Sequence, residues 1–332
     1  MTPSSFLFAL TLTIGTFISL SSTNWLYLWM GMELNLLSFI PLMASSQSLQ
    51  ETEASVKYFI IQAIGSGLML TAGIMSINPV TLYNFHNLIP IIFFISMIIK
   101  LGIAPCHQWL PHVMTSISWS HCMILATWQK VSPFIMMIYI MPRNLYFMIA
   151  FIAMLSALIG GIGGLNQTQL RNTTSSPFSL FIYWSYSMNT IYYWMPLNLF
   201  VIYFSIYIAI SIALMSMLNS NNMMMSKVPN SIVNMSPMSF YMMMIVIFSL
   251  GGLPPFLGFI PKWMIINELS SQFMLTLMLT LIAGSLINLF YYFNMTFNFI
   301  LTFTQLPQLK SPPLWMGVLA ILSSFSSLVL IL

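Results

Sequence analysis

Four ionisable side chains, Glu33, Lys100, Lys130 and Lys262, stand inside long apolar stretches, and two of them adjoin residues that break helices. Lys100 ends an apolar run and is followed by Leu101-Gly102-Ile103-Ala104-Pro105-Cys106-His107. Lys262 follows Gly251-Gly252-Leu253-Pro254-Pro255. Lysine and glutamate in a low-dielectric interior are suited to exchanging protons. Desolvation disfavours the charged form of either, and an opposite charge nearby restores it. At roughly 4 Å, with an effective dielectric of about 20, such a pair interacts by about 4 kcal/mol. That is enough to carry a proton across neutral pH. Interrupted helices also free backbone carbonyls and amides, which are tolerated at membrane depth only where protein or water surrounds them. His107 extends the candidate series, because imidazole exchanges protons near neutral pH. His86, His112 and His121 read more simply as core or interface residues.

The plainer account of such charges is a structural ion pair, or side chains that snorkel from span ends. The energetics limit it. A charge at the bilayer centre costs about 2.5–3.5 kcal/mol on the mildest scale. Four of them facing lipid would cost about 10 kcal/mol, comparable to the whole stability of a domain. They must face a protein interior, water or one another.

Composition places these residues in a membrane. Of 332 residues only 4% are charged and 59% are apolar, whereas a soluble domain carries about 25% charge. The apolar runs are continuous rather than alternating, so helices fit better than barrel strands. The expected fold is all-α and polytopic, with about eleven spans over 3–20, 25–44, 54–77, 89–113, 116–141, 145–165, 176–194, 197–218, 240–269, 273–297 and 314–332. The fourth is discontinuous around Pro105 and the ninth around Gly251 to Pro255. The connections are short, which leaves a single membrane domain over 1–332 and no soluble one. The two broken spans lie five spans apart, an odd offset that would invert one half against the other. Repeat halves of about 1–141 and 145–297 follow, with a C-terminal helix over 313–332. The match is imperfect, because Lys100 precedes its break and Lys262 follows its own.

Loop charge gives an orientation. Arg171, Lys227 and Lys310, with Lys57 nearby, fall on one side, and Arg143 alone on the other. The positive-inside rule then puts the N-terminus on the cytoplasmic or matrix side and the C-terminus opposite. The N-terminal stretch lacks the basic residues of a signal or transit peptide, so the first apolar segment is expected to stay as a span. The 31 methionines fit flexible core filling or a mitochondrial codon reassignment.

Several chemistries are excluded. Cys106 and Cys122 are the two cysteines, too few for an iron–sulfur cluster, and no Cys/His metal cluster occurs. Gly160-Gly161-Ile162-Gly163-Gly164 is not a dinucleotide fingerprint and suits helix packing instead. The sequons at Asn166 and Asn172 matter only in secreted chains. The absence of Asp rules out membrane transferases built on paired aspartates. The net charge of +4 speaks to orientation, not to nucleic acid.

Four stretches in order carry a resemblance: Leu28-Trp29-Met30-Gly31-Met32-Glu33-Leu34-Asn35, Lys100 through Pro111, Thr127-Trp128-Gln129-Lys130, and Gly251 through Trp263. They resemble the NADH–ubiquinone oxidoreductase chain 2 family, antiporter-like membrane subunits of respiratory complex I, in its mitochondrially encoded animal form. The resemblance implies two inverted five-helix bundles with flanking helices, shortened at the N-terminus. It implies a Glu33–Lys100 pair and a hydrated axis continued by Lys130, Lys262 and His107. It implies the mitochondrial inner membrane, neighbouring antiporter-like and small helical subunits, and accessory subunits. Phospholipids such as cardiolipin would suit the basic loops. It implies no cofactor in this chain: NADH, FMN, iron–sulfur clusters and ubiquinone belong to other subunits. A stand-alone cation/proton antiporter and a purely structural anchor are the competing functions.

Overall fold

The computed structural model describes residues 3–46, 48–77, 88–140, 146–165, 197–220, 237–271 and 273–303. The expected spans over 176–194 and 314–332, and the loop charges Arg143, Arg171, Lys227 and Lys310, lie outside the described residues. Among the described residues every regular element is helical. Six of the helices among the described residues are long and apolar enough to cross a membrane.

The chain forms two compact units, Met1–Met148 and Ile149–Leu332. The first contains α1 (Pro3–Ser21), α2 (Trp25–Met43), a short 3₁₀ turn (Ala44–Ser46), α3 (Leu49–Ile77), α4 (Leu88–Leu101), α5 (Trp109–Ser116), α6 (Trp119–Ala126) and α7 (Trp128–Ile140). The second contains all but the first three residues of α8 (Tyr146–Leu165), with α9 (Leu197–Ser220), α10 (Pro237–Gly251), α11 (Phe259–Ser271) and α12 (Leu275–Phe303).

Polarity is turned inward. Phe6, Leu7, Ile14 and Phe17 of α1 are exposed, Phe17 by 65%, while Thr16 and Ser19 of the same helix are buried. That is the reverse of a water-soluble amphipathic helix and suits a lipid-facing exterior. The buried hydroxyls stay satisfied by donating to carbonyls three residues back, as Ser19 does to Thr16 (2.7 Å) and Ser96 to Phe93 (2.6 Å).

With no hydrophobic drive between helices in lipid, close approach depends on small residues. Helices α1 and α2 meet across Gly15 and Gly31. A Cβ on Gly31 would lie 2.6 Å from the Ser19 amide nitrogen and 2.8 Å from the Gly15 carbonyl oxygen. Gly284 of α12 lies as close to the Ala157 carbonyl of α8, at 2.8 Å for a Cβ.

Two expected boundaries need correction. The polar link was expected to run to Glu53, with the span starting at Ala54. Helix α3 begins instead at Leu49. Ser48 caps it, its hydroxyl accepting the Glu51 amide at 3.2 Å. Ser48 and Glu51 have the spacing of a capping box, and acidic residues suit a helix N-terminus. The span over 116–141 is not continuous but divides at Thr127 into α6 and α7. There the Thr127 hydroxyl and amide both donate to the Met123 carbonyl, at 2.7 and 3.0 Å. Pro133, inside α7, withholds an amide from the Gln129 carbonyl.

Gly31→Ala should force α1 and α2 apart, at about 1–3 kcal/mol for an over-packed contact. Thermal denaturation of the purified assembly should show a lowered midpoint, and an unchanged one would contradict the contact.

Candidate functional site

The two Gly/Pro interruptions share one local structure. At the first, Gly102 takes a left-handed φ of +72°. Its amide donates to the carbonyl of Ile99 at 3.2 Å, and the Ile103 amide donates to that of Ile98 at 3.1 Å. This is a Schellman end, which glycine supplies without Cβ strain. At the second, Gly252 has φ +77°. It donates to Ser249 at 3.1 Å, and Leu253 donates to Phe248 at 3.5 Å. Each break leaves the C-terminus of a helix, with its partial negative charge, inside the protein.

A lysine belongs to the neighbourhood of each of these ends. Lys100 lies in the last turn of α4. Lys262, on α11, reaches back so that its Nζ donates to the Gly251 carbonyl oxygen at 2.7 Å. The absence of a side chain at Gly252 leaves room for it, since a Cβ there would lie 2.6 Å from Nζ.

In the first unit a cavity of about 30 Å³ lies between Lys100 and Lys130. One or two water molecules fit a space of that size. Both lysines are buried, exposed by 8% and 3%. Lys130 lies in the first turn of α7, just past the interruption at Thr127. Polar side chains brace the cavity. Tyr58 donates its hydroxyl to the Gln129 Oε1 at 3.4 Å, and Gln129 Nε2 donates to Asn35 Oδ1 at 3.0 Å. Gln62 Nε2 donates to the main-chain carbonyl of Lys100 at 3.1 Å, in place of the helical amide that the break removes. Gly65 opens a groove on α3 for the lysine stem, since a Cβ there would meet Lys100 Cγ at 3.0 Å.

The sequence-derived residues are thus distributed unevenly. Lys100 and Lys130 share a cavity. Glu33 lies near enough for its charge to act on both Lys100 and Tyr58. It forms no ion pair with Lys100, whereas Glu53 pairs with Lys57 at 2.6 Å. Lys100 Nζ instead rests 3.8 Å from the Met32 sulfur. Helix periodicity gives the reason. Leu28, Met32, Asn35, Leu36 and Phe39 form the buried stripe of α2, and Glu33 falls beside it, with its Oε2 buried and without a hydrogen-bond partner. His107 occupies the first break, its Nδ1 also without a partner, but it does not line the cavity. Lys262 belongs to the second unit, at that unit's own break.

Tyr58, Gln62 and Asn35 were not singled out from the sequence. Their signal was a polar side chain on the buried stripe of an apolar helix, which becomes readable only once the stripe is known. Gln62→Leu should leave the Lys100 carbonyl without its donor, at about 1–3 kcal/mol for a buried polar group left unsatisfied. A lowered thermal midpoint of the assembled protein would register that loss, and wild-type stability would refute the assigned bond.

Known proteins place this architecture. A family model described as NADH:quinone oxidoreductase/Mrp antiporter, TM, matches residues 22–288. The chain is 41% identical over 285 residues to NADH-ubiquinone oxidoreductase chain 2 of Lumbricus terrestris, across 86% of this chain and 83% of that one. It is 36% identical over 296 residues to the chain 2 of Locusta migratoria, across 89% and 85%. A chain in the structure of respiratory complex I from Thermus thermophilus with bound aureothin superposes with a TM-score of 0.80 at 18% identity, over 98% of this chain and 77% of that one. The structural likeness speaks for the fold, and the sequence identity for the lineage. On that identity and coverage, the chain belongs to the NADH–ubiquinone oxidoreductase chain 2 family, the antiporter-like membrane subunits of respiratory complex I.

Proposed function

We propose that this chain carries protons within the membrane arm of complex I, through a relay in which Lys100 and Lys130 exchange a proton across their shared cavity. One observation carries the reading: two buried lysines from different helices line one small polar cavity. Glu33 acts as the electrostatic switch. It stands near Lys100 without forming an ion pair, so a displacement of α2 against α4 that brought the two together would strengthen the interaction. His107, at the break beside Lys100, and Lys262, at the second break, are the further members of the relay.

The finer architecture belongs to the same proposal. Eleven spans in two inverted halves are supported by the matching Schellman ends at Gly102 and Gly252. The protein resides in the mitochondrial inner membrane, its N-terminus on the matrix side and its C-terminus facing the intermembrane space. Its partners are neighbouring antiporter-like and small helical subunits, with accessory subunits and phospholipids, cardiolipin among them. NADH, FMN, iron–sulfur clusters and ubiquinone are bound by other subunits. The alternative is a stand-alone cation/proton antiporter, which the wording of the family description admits. Cation-coupled proton transport by the isolated chain in liposomes would favour it.

Lys130→Met and Glu33→Gln, each in the assembled enzyme, should lower coupled NADH:ubiquinone turnover by about a hundredfold, the scale for losing a positioned acid–base group. Proton uptake per electron, measured in vesicles, checks this. Unimpaired coupled turnover in both variants would remove the relay assignment.

A further inference from the structure

Two polar atoms of the cavity wall have no hydrogen-bond partner. They are the indole Nε1 of Trp109, on α5, and the hydroxyl of Ser132, on α7. Both residues are buried, exposed by 8% and 1%, and both line the space between Lys100 and Lys130.

Ser132 departs from the habit of other buried serines among the described residues. Ser19, Ser38, Ser96 and Ser249 all donate to the carbonyl three residues back. A serine in an apolar helix gains by doing so, and leaving a buried hydroxyl unsatisfied costs about 1–3 kcal/mol. Pro133 adds a second free group at the same turn, because it has no amide to give the Gln129 carbonyl. A buried water needs two to four polar partners, and Trp109, Ser132 and the lysine ammonium groups supply them.

The other polar groups of the wall are poor conductors. Tyr58 commits its hydroxyl to Gln129, and Gln129 commits its amide to Asn35. An amide cannot pass a proton on without a costly change to its imidic acid form. Of the two hydroxyls on the cavity wall, Tyr58 and Ser132, only that of Ser132 is unengaged.

We infer that the cavity is a water site anchored by the Trp109 indole N–H, and that the Ser132 hydroxyl passes the proton between that water and Lys130. The inference rests on the relay reading above. The step balances as follows. The Lys100 ammonium gives one proton to the water, which gives a different one to Ser132 Oγ. The original hydroxyl proton of Ser132 moves to a second water, which gives one of its own to the neutral amine of Lys130, because Ser132 Oγ makes no direct hydrogen bond. Lys100 ends neutral and Lys130 charged, while both waters and the serine end neutral. Rotation of the hydroxyl and the waters resets them. Trp109 is a positioning residue, since indole donates but does not accept.

The test is made in the assembled complex. A high-resolution map should show ordered water within hydrogen-bond distance of both Trp109 Nε1 and Ser132 Oγ, and a dry cavity would overturn the inference. Ser132→Ala should lower coupled turnover about tenfold, the rate equivalent of one hydrogen bond, with an increased solvent isotope effect. Ser132→Thr, which keeps the hydroxyl, should restore both. Wild-type behaviour of the alanine variant, or equal impairment of the two, would refute the role of the hydroxyl. Lys130→Met separates the two readings. If it abolishes coupling while Ser132→Ala does not, the relay stands and the serine is removed from it. If it has no effect, the relay itself fails. Should the alanine variant not assemble, the wild-type map and the threonine variant decide.

Discussion

The structure depends on where a buried ammonium group can be tolerated. Lipid offers no partner, and a lysine facing it would cost a large share of the fold's stability. The chain's solution is to interrupt helices within the membrane and use the ends. Each Schellman turn exposes carbonyls at a helix C-terminus, the negative pole of the helix dipole. Lys100 sits in the last turn of one such helix, and Lys262 donates to the last carbonyl of another. At the second break the interruption that prevents a clean span therefore also supplies an acceptor for the lysine, whereas the Lys100 Nζ rests against the Met32 sulfur.

The surroundings follow from this constraint. A carbonyl released by a break needs a donor, and Gln62 supplies one to Lys100. A long side chain needs a channel past the neighbouring helix, and glycine provides it at Gly65 for Lys100 and at Gly252 for Lys262. Amide side chains from α2 and α7 cross-brace the cavity between its two lysines. Much of the described exterior is apolar, because many hydroxyls are turned inward or bonded to their own helix. Packing and the shape of the cavity therefore use the same residues: removing a brace alters both stability and the space between the lysines.

Much of this was legible in order along the chain. Gly102 and Pro105, and Gly251 to Pro255, marked the interruptions because glycine and proline act locally. The lysines were conspicuous because so little else is charged. Other features were less readable. Helix α3 starts earlier than its hydropathy indicates, because capping by Ser48 outweighs the polarity of Glu51 and Glu53. The division at Thr127 has no glycine, and its proline lies several residues downstream. The pairing implied for Glu33 and Lys100 does not take the form of an ion pair, because one residue along a helix turns a side chain by about 100°, and Met32 takes the inward place.

The sequence alone determined that this is a helical membrane protein, where glycine and proline break two of its helices, and which charges must be hidden, because span length, backbone breakers and the cost of charge in lipid are local or additive properties. Only the tertiary structure decided which polar groups meet. That Lys100 and Lys130 share one cavity, that Gln62 serves a carbonyl on another helix, and that Ser132 and Trp109 keep unpaired polar atoms beside them depend on helix rotation and packing. Those are fixed by contacts between residues far apart in the chain, such as Gly15 with Gly31 or Asn35 with Gln129, and no local pattern encodes them.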